Sequence, residues 1–267
     1  MKKIFLTGVS SGIGLAIAEL LTARGDQVWG TSRDLSRIRQ LPRLVPIRLD
    51  LSDSRSIDEA FKAALSQAGY FDVVINNAGS GHFGPAEHLS VQETASQFQT
   101  LVFGQLQLMQ LGLNAMRSRG SGLIINVTSL ASRLPVPFMA AYNSAKAAMA
   151  AFTMSMQLEL PESGVRIIDL QPGDISTGFN DAVRKGPQHD PRYEEKVTKT
   201  WTAVDRNMRA APKPELVAKH VLTLINTMNP PPRVTVGDLF QSKIAPLIFR
   251  FLPQRVRIWG LKKYYGI

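Results

Sequence analysis

Short apolar runs alternate with longer amphipathic stretches from the first residues onward. Lys3–Thr7 is apolar, Gly8-Val9-Ser10-Ser11-Gly12-Ile13-Gly14 interrupts it, and Leu15–Ala23 carries apolar residues at helical spacing. Gln27–Ser32, Val45–Leu49 and Phe71–Asn76 repeat the short apolar pattern, and a helix capped at Ser52 or Asp53 and running to about Ala68 separates the last two. A long helical pattern then covers Val91–Arg119, with Gly104 and Gly112 inside it and Gly120-Ser121-Gly122 as its stop. Leu123–Val127 and Val165–Gln171 read as buried strands on either side of a helix at Tyr142–Leu160, and a helix at Pro214–Met228 leads into a strand at Arg233–Val236. Strands that are apolar on both faces and separated by helices predict an α/β fold, a doubly wound parallel sheet of seven strands covered by helices on both sides. Residues 178–212 break the pattern. They are polar, proline-containing and weakly periodic, with a helix at Tyr193–Met208, and are too long for a plain connection, which suits a lid. One unit over residues 1–238 and an extension over 239–267 are expected.

Composition narrows the function classes. No cysteine occurs among the 267 residues, so disulfides, thiol nucleophiles and thiolate metal sites are excluded. No cluster of His, Asp and Glu in the sequence suggests a metal. The first apolar run is too short for a signal peptide, and no stretch reaches about 18 consecutive apolar residues. A cytoplasmic protein is expected. The net charge of +10 raises nucleic acid or an anionic membrane as partners. No base-reading basic helix or nucleic-acid motif accompanies it, so nucleic acid is not an expected partner. The extension keeps the membrane in view. Ile244–Pro253 is apolar, and Arg255, Arg257, Lys262 and Lys263 stand beside Trp259, Tyr264 and Tyr265. Such a segment suits contact with a membrane surface, a cover over a pocket, or a second subunit.

Four places carry candidate chemistry. Tyr142 and Lys146 are four residues apart and share a helix face. A nearby ammonium lowers a phenol's pKa from about 10 and makes it a usable proton donor and acceptor. Tyrosine and lysine at this spacing also occur in helices without catalytic roles. The glycine-rich stretch sits between a strand and a helix, where glycines let the backbone approach a pyrophosphate and the helix N-terminus favours its charge. An ordinary tight turn has the same outline. The second strand ends in Ser32-Arg33, a pair suited to a 2′-phosphate, whereas an acid there would bind ribose hydroxyls. NADP is therefore favoured over NAD. Asp34 is the counter-argument unless it caps the next turn. Thr128 and Ser129 lie beyond the carboxyl end of the fifth strand, where ligands bind in open α/β sheets.

Taken together, Thr7-Gly8-x-x-x-Gly12-Ile13-Gly14, Asn76-Asn77-Ala78-Gly79, Ser129, Tyr142-x-x-x-Lys146 and Pro172-Gly173 resemble the short-chain dehydrogenase/reductase family in its single-domain branch, over roughly residues 3–237. The resemblance implies a Rossmann-type fold and an oxidoreductase moving a hydride between NADP(H) and an alcohol or ketone. It implies Tyr142 as general acid/base, Lys146 as its modulator and a ribose ligand, and Ser129 as a hydrogen-bonding partner of the substrate oxygen. Gly8, Ser10, Ser11, Gly12, Ile13 and Gly14 would line the pyrophosphate and ribose, Ser32 and Arg33 the 2′-phosphate, and Asp50 and Leu51 the adenine. Asn76, Ala78 and Gly79 would lie along the ribose, and Pro172, Gly173, Ile175 and Thr177 around the nicotinamide. Homodimers or homotetramers are common in the family, and similar tails occur in its steroid- and retinoid-handling members.

His82, Phe83, Pro85, Leu130, Leu134, Val136, Phe138, Met139 and Phe179 surround these motifs and are mostly apolar. A small, bulky, hydrophobic carbonyl or alcohol of lipid-like, steroid-like or retinoid-like character is the expected substrate class. One departure stands out. The family commonly places an asparagine three residues before a glycine in the long helix, where it holds a relay water behind the lysine. Counting back from Gly104 gives Leu101. Either Thr100 or Gln105 substitutes, or the relay is altered, or the chain binds NADP(H) as a regulatory or scaffold protein with little turnover.

Overall fold

The computed structural model describes residues 1–160, 164–186 and 190–267; within the expected lid, residues 187–189 lie outside the described residues. The first half runs β1 (Lys3–Thr7), α1 (Gly12–Ala23), β2 (Gln27–Ser32), β3 (Leu44–Arg48), α2 (Ser54–Ala68), β4 (Val73–Asn76), β5 (His82–Phe83), α3 (Val91–Phe98) and α4 (Gly104–Arg117). The second half runs β6 (Gly122–Val127), α5 (Ala140–Glu159), β7 (Val165–Pro172), β8 (Arg184–Lys185), α6 (Glu194–Ala210), α7 (Glu215–Asn226), β9 (Arg233–Val236), α8 (Ala245–Phe251) and α9 (Gln254–Tyr265). Seven strands form one parallel sheet in the order β3-β2-β1-β4-β6-β7-β9. The chain reverses its direction of sheet growth between β1 and β4, and a crevice opens there at the carboxyl ends of the strands.

Alternation along each strand assigns residues to the two faces. Ile4 and Leu6 join α1 and α7 on one side, in a core that includes Ile17, Leu21, Val217 and Val221. Phe5 points to the other side, against Trp29, Phe61 and Phe71 from the half packed by α2, α4 and α5. Phe5 meets Phe61 and Phe71 edge-on at centroid distances of 5.2 and 5.5 Å. Such pairs add about 0.5–1.5 kcal/mol each beyond the area they bury. Burial on both faces explains why β1 reads as one apolar run.

Three differences from the sequence pattern bear on function. The long helix over 91–119 is divided: Ser90 and Glu93 form a capping box that starts α3, and a π-helical turn over Gln99–Phe103 separates α3 from α4. A single hydrophobic period does not reveal one inserted residue. Second, β5 and β8 pair as a small parallel ribbon, and Phe83 packs edge-on against Trp201 of α6 at 4.8 Å. Two-residue strands are too short to show alternation. Third, the tail forms the helices α8 and α9. Among the described residues, no helix is long and apolar enough to cross a membrane.

Candidate active site

The cradle at the start of the crevice is built from glycines whose positions admit no side chain. A Cβ on Gly14 would lie 2.0 Å from the Gly8 carbonyl oxygen, and Gly8 itself has φ +76 with Ala78 Cα only 2.9 Å from its ideal Cβ. The Asn77 amide side chain donates to the Thr7 carbonyl at 2.9 Å, and the Asn77 and Ala78 backbone N–H groups both donate to Thr7 Oγ1. These bonds fix the end of β4 against the glycine loop, so the two motifs form one wall.

The far end of the groove is cationic. Arg33 and Arg37 line it with Ser32 and Asp50. Asp34 lines it as well, and its carboxylate accepts from the Ser36 backbone and hydroxyl at 3.0 and 2.7 Å, capping the short helix at Leu35–Arg37. Those Ser36 bonds, with Arg37 and Arg48 nearby, lower its pKa. Burial pushes the Asp50 carboxyl up, but its bonds from Ser52 and the neighbouring Arg33 and Arg48 leave it below the ordinary value.

Ser129, Tyr142 and Lys146 meet at the middle of a cleft of about 1620 Å³ that continues from the cradle to the tail. That volume exceeds the usual 300–1,000 Å³ of a single ligand pocket. Ser129 lies two residues beyond β6 and caps the next turn, its Oγ accepting from the Ala131 N–H at 3.1 Å. Tyr142 and Lys146 lie on the first turns of α5. Shared face does not bring phenol and ammonium together. Lys146 Nζ lies 6.0 Å from the centre of the Tyr142 ring and donates to the Val127 carbonyl at 2.8 Å. Burial raises the Tyr142 pKa, opposed by the Ser129 hydroxyl and reinforced by the Asp174 carboxylate. The direction is opposite to the lowering expected from the lysine, because burial of the ring is the largest influence on the phenol.

Burial also pushes the Lys146 ammonium down from 10.5 to about 8, with Asp169 working against it. Asp169 is itself buried, bonded by Thr128, by Gln171 at 2.8 Å and by Arg233 at 2.8 Å. A lysine whose folded pKa is depressed costs stability wherever it is charged. The penalty is complete below pH 8 and fades as pH rises from about 8 towards 10.5. Lys146→Met is therefore expected to stabilise the protein by about 2 kcal/mol near neutral pH, after allowing for the lost Val127 bond. Urea titrations at neutral pH and at about pH 9.5 would check this, and the advantage should shrink at the higher pH.

Of the site residues expected from sequence, all but Asn76 and Thr177 line the cleft. The fully buried Asn76 bonds the Gln105 carbonyl and Asn126, joining β4 to β6, and Asn77 takes its place on the wall. Thr177 stands behind the loop, its side chain 3.4 Å from where a Gly12 Cβ would be. On the substrate side His82, Leu130, Leu134, Val136, Met139 and Phe179 line the cleft. Phe83 and Phe138 instead pack into the cluster of Met139, Val183 and Val197 beneath it.

Leu101 is fully buried with Val102, Ala145, Phe98 and Tyr142. A Cβ on Gly79 would lie 3.4 Å from Leu101 and 3.8 Å from Lys146 Nζ, so the leucine sits close to the lysine's head. The π turn presents Thr100 to the cleft, whereas Gln105 is buried and donates to the Ala78 carbonyl at 2.8 Å. Leu101→Asn is expected to leave turnover unchanged or raised and to lower stability by about 1–3 kcal/mol through an under-bonded buried amide. Steady-state rates and denaturant midpoints measure the two effects. A severe loss of turnover with the fold intact would show that the leucine is adapted to this site.

The tail supplies residues that sequence motifs did not mark. Gln241 Oε1 accepts from the Asp174 N–H at 2.8 Å and its Nε2 donates to the Asp174 carboxylate at 2.5 Å. Phe240, Ile248, Phe249, Leu252, Leu261 and Tyr265 complete the apolar wall. The only signal for them was the apolar, aromatic character of the tail. At the rim, Glu87, His88 and Asp190 bring three metal-ligating atoms within 4.8 Å of one another. Arg192 bonds both acids and Tyr193 donates to Glu87 at 2.7 Å, which makes this an ion-pair clasp between the 86–88 turn and the segment before α6.

The sequence model of the family described as short chain dehydrogenase matches residues 2–188, and the chain belongs to that family. A similar curated protein is a 3-ketodihydrosphingosine reductase of Bacteroides thetaiotaomicron, 29% identical over 268 residues, covering 99% of this chain and 98% of the relative. Oxidoreductase BOA17 of Botryotinia fuckeliana is 31% identical over 245 residues, covering 89% of each. Among solved structures, a short-chain dehydrogenase from Streptomyces avermitilis superposes with a TM-score of 0.82 at 28% identity, over 99% of this chain and 96% of that one. An alcohol dehydrogenase from Thermococcus sibiricus complexed with 5-hydroxy-NADP gives 0.74 at 26% identity, over 90% and 97%. The chain is thus an oxidoreductase of the short-chain dehydrogenase class with a Rossmann-type fold.

Proposed function

We propose that the protein is an NADPH-dependent reductase of a long-chain ketone bearing an amine beside the carbonyl. The observation that carries this is one continuous cleft. A glycine cradle and Arg33 occupy one end, Ser129, Tyr142 and Lys146 the middle, and an apolar wall with Asp174 the other. The cradle fits a dinucleotide, since Gly8 and Gly14 let the loop close tightly on Ala78 and on its own backbone between a strand and a helix N-terminus, the setting that holds a pyrophosphate. Arg33 suits the 2′-phosphate because Asp34 is committed to Ser36.

When bound, the nicotinamide supplies the hydride. The chain supplies orientation and one proton. Ser129 holds the substrate oxygen, and Tyr142, a phenol and so protonated at neutral pH, donates its proton to that oxygen as the alcohol forms. Lys146 holds the nicotinamide ribose and places a positive charge behind the phenol. A protonated phenol is the form that reduction needs.

Substrate class follows from the far wall. Asp174 keeps company with Tyr142, Tyr264 and Tyr265, and burial raises its pKa. A substrate ammonium would add a charged partner beside the Gln241 amide that already bonds this carboxylate, and the apolar helices would take an alkyl chain. A 3-keto sphingoid base has this layout, which agrees with the name of the Bacteroides relative. The test compares NADPH oxidation on a long-chain 2-amino ketone with that on its N-acetyl form and on the plain ketone. Wild type should favour the free amine by about 10- to 100-fold in kcat/KM, as a charge-assisted hydrogen bond allows. Asp174→Asn should abolish that preference. Equal rates on all three would remove the amine and leave a ketone reductase. A second reading, an NADP(H)-binding protein with little turnover, draws on Leu101 beside Lys146. Exposed Phe103, Phe152, Met154 and Leu158 on the π turn and α5 suit a homodimer or homotetramer.

A further inference from the structure

The two faces of the C-terminal helices differ in what they meet. Ala245, Ile248, Phe249 and Leu252 of the first, and Gly260, Leu261, Tyr264 and Tyr265 of the second, line the cleft. The opposite face is solvent-exposed and still apolar. Ile244, Leu247 and Phe251 recur at spacings of three and four, and Ile258 and Trp259 continue the surface on α9. Leu247, Phe251 and Trp259 are 61%, 75% and 62% exposed. Of eighteen exposed large apolar side chains among the described residues, ten fall within residues 239–267. The concentration marks a contact surface rather than scattered exposure.

Charge selects the partner. Residues 239–267 contain Lys243, Arg250, Arg255, Arg257, Lys262 and Lys263 and no Asp or Glu. A second copy docking on this face would set like charges against each other, whereas an anionic surface neutralises them. Bulky apolar and aromatic side chains among cations are the composition of a helix lying in a lipid headgroup layer. We infer that α8 and α9 dock the protein on an anionic bilayer, with the substrate end of the cleft bounded by the same two helices. Apolar substrate could then pass between bilayer and cleft along a wall shared by both. This last step rests on the proposed apolar substrate; the docking itself does not.

Sedimentation of the full-length protein with vesicles of phosphatidylcholine alone, or with about a third phosphatidylglycerol, tests it. The expected result is binding to the anionic vesicles only, weakening as salt is raised. Leu247→Glu with Phe251→Glu changes two exposed residues that do not line the cleft, and should lower vesicle partitioning by about 100-fold. Lys262→Glu with Lys263→Glu should lower it by about 10-fold or more. Both variants should keep the wild-type melting temperature and the wild-type NADPH affinity. No wild-type binding to anionic vesicles would overturn the inference, as would binding that both variants retain. If the first variant instead dissociates an oligomer while vesicle binding is absent, the face is a subunit contact. Because vesicle binding is read without turnover, its failure is distinct from a failure to reduce ketones.

Discussion

Tyr142→Phe is expected to lower kcat for ketone reduction by about 1,000-fold while leaving NADPH affinity within about threefold. General acid–base catalysis contributes about 10²–10⁴ in rate, and the substitution removes one hydroxyl from a buried position. The ring packs at 5.5 Å from Phe179 and touches the Leu101 cluster, contacts that phenylalanine retains. The fold should therefore survive. Stopped-flow NADPH binding together with steady-state turnover separates the two quantities. A rate within tenfold of wild type would mean that another group, such as Ser129, delivers the proton.

Arg33→Ala is expected to weaken NADPH binding by about 30-fold and to leave NADH binding nearly unchanged. A charge-assisted arginine–phosphate bond is worth about 1.5–3 kcal/mol, and every 1.4 kcal/mol is tenfold. Arg33 is exposed at the end of β2 and shares the groove with Arg37, so the loss should be partial. Asp34 bonds Ser36 as a cap, and its removal should matter less. Fluorescence titration of both nucleotides on wild type and variant gives the ratio. Equal losses for NADPH and NADH would show that the arginine does not read the 2′-phosphate, and an NAD enzyme would then be the better reading.

Much of this arrangement was legible in the residues. Strands buried on both faces leave long apolar runs, so the sheet could be read from Ile4-Phe5-Leu6 and its counterparts. The cradle was legible because close backbone approach demands glycine, and Gly8 and Gly14 each lie against backbone atoms. The role of Asp34 as a cap was legible because short polar side chains bond their own backbone two residues on. Other features depend on tertiary placement. Gln241 reaches Asp174 across 67 residues, and no local pattern marks either. The direction of the Tyr142 pKa is set by how deeply the ring is buried and by Asp174, neither of which follows from helix spacing. The π turn at Gln99–Phe103 differs from an α-helix by one residue of slack, which apolar spacing cannot resolve. Asn76 belongs to a recognisable motif, yet its side chain is spent joining β4 to β6.

The proposed reaction moves a hydride from NADPH to an apolar ketone, with Tyr142 supplying the proton. Single turnover with NADPH deuterated at nicotinamide C4 tests it most directly, using a long-chain 2-amino ketone and mass spectrometry of the product. The expected product is an alcohol carrying the deuterium on the carbinol carbon, one per NADPH consumed, with no such product from Tyr142→Phe on the same timescale. Tight NADPH binding with no labelled alcohol from this ketone or a broad panel of hydrophobic ketones would contradict it, and would leave a protein that holds the nucleotide as a ligand.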